Sequence, residues 1–260
     1  MKFKTHIINE VAAQNEALLG YLGQAGFLLK TDNGKLIAID WYLSDAAERL
    51  FGFKRMIPAI IQPEELQVDY YLSTHSHVDH LDPDILPVIA ACEKTFFIGS
   101  PDCETIYQQN GIRKERYHIL NTGNRYESTD LSVRAIYSDH GALVPDALGL
   151  LIEMKGIKVF HTGDTAFVPE KTAASLQTEI DVLIAPINAQ YGNMNAREAC
   201  QLANILKPKM LIACHFWMFL EHVGEDGVGD PATFMREAAY LSKSITPLVL
   251  APGEIIRINP

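Results

Sequence analysis

Long apolar runs are missing from this chain. No stretch approaches the roughly 20 apolar residues that a bilayer-spanning helix needs. The start, Met1-Lys2-Phe3-Lys4-Thr5-His6, is not followed by an apolar segment of signal-peptide type. Cysteine is scarce as well: Cys92, Cys103, Cys200 and Cys214 are the only four, and none falls in CxxC spacing. Free thiols in a reducing compartment fit that usage better than a disulfide framework. Together these absences predict a cytoplasmic protein with no membrane partner. Positive charge is thin: 22 Lys and Arg stand against 32 Asp and Glu, for a net charge of -10 with no basic run. A nucleic-acid backbone would be repelled by such a chain, so a small-molecule substrate is expected instead. Internal repeats and low-complexity linkers are also absent.

What is present is enough apolar material for a substantial core. With 48% hydrophobic residues in 260, the chain reads as a single domain over residues 1–260, or as two fused halves sharing one core. Strand-like runs lie near Ala17 to Tyr21, Gly26 to Thr31, Lys35 to Asp40, Val68 to Ser73 and Thr95 to Gly99. A second series runs through Tyr117 to Leu120, Leu131 to Tyr137, Leu148 to Met154, Ile157 to His161, Val182 to Ala185 and Met210 to Ala213. The turn signals Asp32-Asn33-Gly34, Thr122-Gly123-Asn124 and Lys155-Gly156 separate several of these as hairpins. Helical patterns fall near Pro83 to Cys92, Pro101 to Asn110, Ala196 to Leu206 and Pro231 to Ser242. Asn195 with Glu198 makes a capping-box start for the third, and Asp230-Pro231 marks the fourth. The order predicts an α/β protein, an αββα sandwich of two mixed sheets flanked by helices.

The chemistry concentrates in His75-Ser76-His77-Val78-Asp79-His80, directly after the run Val68 to Ser73. Three imidazoles and a carboxylate in so short a span suit a transition-metal site, because imidazole binds zinc, manganese or iron well. The carboxylate can be ligand, proton shuttle or both. Alternate residues of an extended segment point the same way, so His75 and His77 can share one metal. A bend into a helix at Asp82-Pro83 would swing Asp79 and His80 toward a second position. Further candidates follow other strand-like runs: His140 after Leu131 to Tyr137, Asp164 in His161-Thr162-Gly163-Asp164-Thr165, and His215 after Met210 to Cys214. A histidine at a strand end is ordinarily a turn residue. Taken together, these strand-end residues form what a site above a sheet edge requires. Cys214 adjoins His215, but a small buried residue closing a strand is the better reading for it.

In this order, HxHxDH, then His140, then Asp164 in a TGDT segment, then His215, the chain resembles the metallo-β-lactamase superfamily. The resemblance implies that His75, His77 and His140 hold one divalent metal. It implies that Asp79, His80 and His215 hold a second, with Asp164 bridging, and zinc, manganese or iron would suit. Within the superfamily the chain looks most like the L-ascorbate-6-phosphate lactonase group, in Tyr21 to Phe27, Ile39 to Tyr42, Phe97 to Pro101 and Gly111 to Arg116. The similarity runs from about Leu18 to Pro231. It implies a hydrolase in which a metal-bound hydroxide attacks a small anionic ester or lactone, Asp79 and His80 being the candidate catalytic residues. Asp79 or a metal-bound water would protonate the leaving alkoxide. A phosphodiesterase on the same ligand set is the alternative, and a silent metal-binding module the third reading. Superfamily nucleases usually carry an inserted domain, and none fits between Asp164 and His215.

Substrate contacts are read from three places. Lys54 and Arg55, in a stretch with Phe51 and Phe53, could fold over the site and take a phosphate. The more ordinary reading of that stretch is a solvated amphipathic helix from Asp45 to Phe53. Asn188 and Tyr191, in the polar segment after Val182 to Ala185, read either as lining of the pocket or as a plain loop. Trp217, with Phe219 and His222, could supply an apolar wall or a lid hinge. A homo-oligomer is compatible with all of this.

Overall fold

The computed structural model describes residues 2–142, 144–223 and 229–260. The chain begins with α1 (Lys2–Asn9) and then lays down β1 (Ala17–Gly23), β2 (Gly26–Thr31) and β3 (Leu36–Ile39) as antiparallel neighbours. The β2–β3 turn is the one signalled by Asp32-Asn33-Gly34, and the Gly34 amide donates to the Thr31 carbonyl. Then the connection changes character. α2 (Ala46–Phe51), α3 (Leu86–Ala90) and α4 (Cys103–Gln109) are crossovers to β4 (Tyr70–Ser73), β5 (Phe96–Gly99) and β6 (Tyr117–Ile119). Those three strands add in parallel to β3, as crossover-linked strands must.

The second sheet repeats the scheme. β7 (Arg125–Glu127), β8 (Ser132–Tyr137), β9 (Leu148–Met154) and β10 (Ile157–His161) are antiparallel, with the β9–β10 hairpin turning at Lys155-Gly156. α5 (Pro169–Leu176), α6 (Ala196–Leu206) and α7 (Pro231–Glu237) carry the chain to the parallel strands β11 (Val182–Pro186), β12 (Met210–Cys214) and β13 (Thr246–Leu248). Last, β14 (Ile255–Ile258) returns to pair with β1. Each sheet has seven strands, in the orders β14-β1-β2-β3-β4-β5-β6 and β13-β12-β11-β10-β9-β8-β7. The expected sandwich of two mixed sheets between helices is what forms.

Period-two alternation decides which side chain goes where. Leu19, Leu29, Ile39, Leu72 and Ile98 turn inward and meet Val133, Leu150, Ile152, Val159 and Ile184 of the other sheet. Their neighbours Leu18, Leu28, Ala38, Tyr71 and Phe97 turn outward and are covered by Phe3 and Ile7 of α1, Leu86 and Ile89 of α3 and Tyr107 of α4. A fully buried side chain of this size contributes about 1.5–3 kcal/mol, so both faces of the first sheet are sites of real stabilisation.

Four expectations need correction. Tyr117 to Leu120 belongs to the first sheet as its edge strand β6, not to the second series. Consequently Thr122-Gly123-Asn124 joins the two sheets instead of closing a hairpin. The helix expected from Pro83 is shorter, running only over Leu86–Ala90, and the turn before it is held by Asp82. Its carboxylate accepts from the amides of Leu43 and Ser44 and the Ser44 hydroxyl as well as from Asp84 N. The helix from Pro231 ends at Glu237 and passes into a 3-10 turn over Ala238–Tyr240. The caps at Asn195 and Asp230 form as expected, accepting from the amides of Glu198 and Ala232. None of the described helices is long and apolar enough to cross a membrane.

Candidate metal centre

The centre is assembled at the carboxyl ends of strands. Asp40 follows β3, His75 follows β4, Asp164 follows β10 and His215 follows β12, while His140 lies just past β8. Parallel strands end on one edge, so side chains far apart in sequence converge there. After β4 the chain turns tightly, and the amides of His80 and Leu81 both donate to the His77 carbonyl, at 2.9 and 2.8 Å. That turn, rather than a helix at Pro83, brings the His80 ring to 4.1 Å from the His75 ring, centroid to centroid.

All seven side chains singled out by sequence meet. His75 Nε2 lies 3.0 Å from His77 Nδ1, which lies 3.2 Å from His140 Nε2. Asp79 Oδ2 stands 3.4 Å from His215 Nε2 and 3.8 Å from His80 Nε2. Asp164 faces both sets, with Oδ1 3.3 Å from His80 Nε2 and Oδ2 3.2 Å from His215 Nε2 and 3.8 Å from His140 Nε2. Three overlapping groups could therefore hold a cation: His75–His77–His140, His75–His80–Asp164 and Asp79–His80–His215. Five of the seven side chains are buried, and His77 and Asp79 are the two that retain partial exposure.

The residues fit a divalent cation on internal grounds. His80 Nε2, His140 Nδ1 and Asp164 Oδ1 are buried without a hydrogen-bond partner. Each such group costs about 1–3 kcal/mol, and ligation at His80 Nε2 and Asp164 Oδ1 would satisfy two of them. Burial pushes the imidazoles of His75, His77 and His140 below their ordinary value, which leaves nitrogen lone pairs free for ligation. His80 and His215 go the other way. Burial alone would lower them, but Asp164 and the neighbouring carboxylates raise His80 well above its usual range and His215 to about 9. Burial would raise Asp79 and Asp164, yet His80 and His215 hold both carboxyls well below the ordinary range. The carboxylates thus gather positive charge, and a cation can supply the same balance as imidazolium protons.

Three supporting residues were not singled out from sequence as site residues. Asp40 Oδ2 lies 2.8 Å from His80 Nδ1 and also accepts from Thr74 Oγ1, so it orients that ring. Asn193 Nδ2 donates to Asp164 Oδ2 at 2.8 Å. Gln24, in the β1–β2 turn, donates from Nε2 to Asp79 Oδ2 at 2.7 Å, and its carbonyl accepts from His215 N at 2.7 Å. The only signal available for Asp40 was the one used for the histidines, a polar residue at the end of an apolar strand.

The proposed substrate contacts divide. Asn188 and Trp217 line a narrow slot beside His215, of about 20 Å³, with Gln24, Phe219 and His222. Tyr191 stands at its rim, its hydroxyl 3.0 Å from His222 Nε2. Lys54 and Arg55 do not line that slot. They border a separate open groove of about 640 Å³ together with Asp45, Glu48 and Asp84. Arg55 is held internally: Nη1 donates to Ser44 O, Nε donates to Ile57 O, and the guanidinium lies over the Tyr42 ring, with Nη2 buried and unpartnered. The amphipathic helix expected as the ordinary reading of this stretch is α2. Cys214 is buried at the end of β12 and belongs to none of the cation-holding groups.

The family model described as the beta-lactamase superfamily domain matches residues 18–215. A UPF0173 protein from Pyrococcus furiosus is 30% identical over 217 residues, covering 84% of this chain and 88% of its own. A UPF0173 metal-dependent hydrolase from Archaeoglobus fulgidus is 27% identical over 252 residues, covering 92% and 98%. Among solved structures, Igni18, a metallo hydrolase from Ignicoccus hospitalis, superposes with a TM-score of 0.72 at 20% identity, covering 93% of this chain and 98% of that one. The chain belongs to the beta-lactamase superfamily and, within it, to the UPF0173 family of metal-dependent hydrolases.

Proposed function

We propose that this metal-dependent hydrolase opens a small ester or lactone at the His75–His215 centre, with a pair of divalent cations as cofactor. The observation that carries the reading is Asp164, whose two carboxylate oxygens face different imidazole sets. In that reading His75, His77 and His140 hold one ion, Asp79, His80 and His215 the other, and Asp164 both. What such cations supply when bound is a pKa for water lowered from 15.7 toward about 7, and polarisation of a carbonyl oxygen. The chain's own residues do the rest. Asp164 is fixed by Asn193, and His80 by Asp40, so donor positions are set before substrate arrives. Asp79 is the one carboxylate of the centre with partial exposure. It is the residue to pass a proton to the leaving alkoxide and exchange it with solvent. Asn188 and Trp217 border the slot beside His215, offering an amide and an aromatic face at the edge of the centre.

The ester and lactone preference rests on the resemblance to the lactonase group and on charge. Among the described residues no Lys or Arg lines the slot beside His215, and the net charge of -10 gives a polyanionic substrate no encouragement. Nucleic acid is disfavoured for the same reason. All four cysteines are free, which suits a cytoplasmic setting.

Hydrolysis of L-ascorbate 6-phosphate and unphosphorylated lactones, with manganese and then zinc, tests the reading. Bis-p-nitrophenyl phosphate serves as the competing substrate. Turnover of lactones, abolished in Asp79→Ala, is the expected result. Efficient phosphodiester cleavage with inert lactones would replace the proposal by a phosphodiesterase.

A further inference from the structure

Gln24 does more at this centre than its place in a turn requires. It is 1% exposed, and it grips His215 twice, through its carbonyl at 2.7 Å from His215 N and through Nε2 at 3.0 Å from His215 Nε2. The same Nε2 donates to Asp79 Oδ2. One amide nitrogen thus sits against two of the three residues of the Asp79–His80–His215 group, at the atoms a cation would need, and it uses a lone pair of Asp79. Meanwhile Gln24 Oε1 is buried with no partner. It borders a slot in which Asn188 Oδ1 and Nδ2 and Gln190 Oε1 are also buried and unpartnered. Three of these unmet atoms are acceptor oxygens and one is an amide nitrogen, so acceptors outnumber donor groups there, at a cost of about 1–3 kcal/mol for each unmet group.

We infer that Gln24 is a fourth ligand of the Asp79–His80–His215 site, its carboxamide turning over so that Oε1 meets the cation. The exchange is favourable at both ends. A cation shared by Asp79 and His215 consumes the lone pairs on which the Gln24 N–H now rests, and an N–H pointing at a cation is repelled. Turning the amide puts an acceptor there and sends two N–H donors toward the acceptor-rich slot. A carboxamide oxygen is a neutral hard donor, compatible with zinc or manganese, and adds no charge to a site that already has Asp79 and Asp164. The inference rests on the reading of Asp79, His80 and His215 as ligands.

Zinc titration of the purified protein against a competing chelator tests this without any substrate, with bound zinc counted by elemental analysis. The unmodified chain is expected to take two ions. Gln24→Ala should weaken the second by about 10–100-fold and leave the first unchanged. Gln24→Glu, which offers an oxygen but no N–H, should bind the second at least as tightly as the unmodified chain. Equal or tighter second-ion binding by Gln24→Ala would show the amide to be only an obstruction. Weakening in both variants would reduce Gln24 to an N–H support for Asp79. Either result overturns the inference. The unmodified protein gives an independent reading: the side-chain amide resonances of Gln24 should move at the second equivalent of zinc, and unmoved resonances overturn the inference as well. A chain that takes only one ion fails the two-ion reading itself. Two ions with indifferent Gln24 variants fail Gln24 alone.

Discussion

Asp40 and His80 form a fully buried pair, with Oδ2 of the first 2.8 Å from Nδ1 of the second. Asp40 also accepts from the Thr74 amide at 2.8 Å and from Thr74 Oγ1 at 2.7 Å. A carboxylate can only accept, so His80 presents N–H at Nδ1. Nε2 is left facing Asp79 and Asp164, where a cation is wanted.

Replacing Asp40 by Asn should therefore loosen metal binding without touching a ligand. The amide oxygen can still take the Thr74 amide, but one former acceptor becomes a donor aimed at Thr74 Oγ1 or His80 Nδ1. We expect affinity for the second ion to fall about 10–100-fold, read by chelator competition. Unchanged affinity in a folded variant would show that His80 needs no such orientation.

Asp164→Asn tests the residue on which the functional proposal turns. The substitution keeps the shape and the contact with Asn193, but removes the charge that faces His80 and His215. Turnover should fall by about 100-fold or more, with bound metal dropping from two ions toward one. Asn193→Ala, which only frees Asp164 Oδ2 from its donor, should cost less of both. Full activity in a metal-replete Asp164→Asn would sink the bridging role.

Much of this centre was legible because it is built from strand ends. His75, His140, Asp164 and His215 each follow an apolar run of strand length, and β4, β8, β10 and β12 are indeed the strands that present them. Two kinds of feature escaped. Edge strands β7 and β13, three residues each, bury too little to show an apolar pattern, as the largely exposed Arg125–Glu127 illustrates, and the apolar run of β14, Ile255–Ile258, is only four residues long. Sheet membership escaped too, since β6 has a run like any other and only its pairing with β5 assigns it. Asp40, Gln24 and Asn193 were hidden for a different reason. Their types are common in turns, and only the fold shows which turn residues face the histidines.

Metal removal should be visible in stability. A cation binds the assembled centre and has little to hold in the unfolded chain, so it stabilises by mass action. At a free concentration 100 times its dissociation constant the gain is about 2.7 kcal/mol. For a chain of this length that is a rise in Tm of roughly 5–10 °C over chelator-treated protein. The increment should grow with the logarithm of added zinc. It should shrink in Asp164→Asn, and a Tm indifferent to zinc would count against a metal centre of any kind.

Gly163 is the residue whose backbone puts Asp164 in place, and its replacement is the sharpest test of how rigid that placement must be. Its φ is +61°, a left-handed conformation that costs an L residue roughly 1–2 kcal/mol. A Cβ built on it would lie 2.7 Å from the Leu148 carbonyl oxygen and 2.9 Å from Thr74 Cβ. Neither neighbour can yield cheaply. Leu148 O belongs to β9, and Thr74 is tied to Asp40 and stands next to His75. Gly163→Ala should therefore destabilise the fold by about 2 kcal/mol or more, measured by denaturant unfolding. Relief of the clash can come only from moving the Asp164 turn away from Thr74, so bound metal should fall alongside stability. A variant that loses stability but keeps both ions at full affinity would show that the centre tolerates a shifted Asp164.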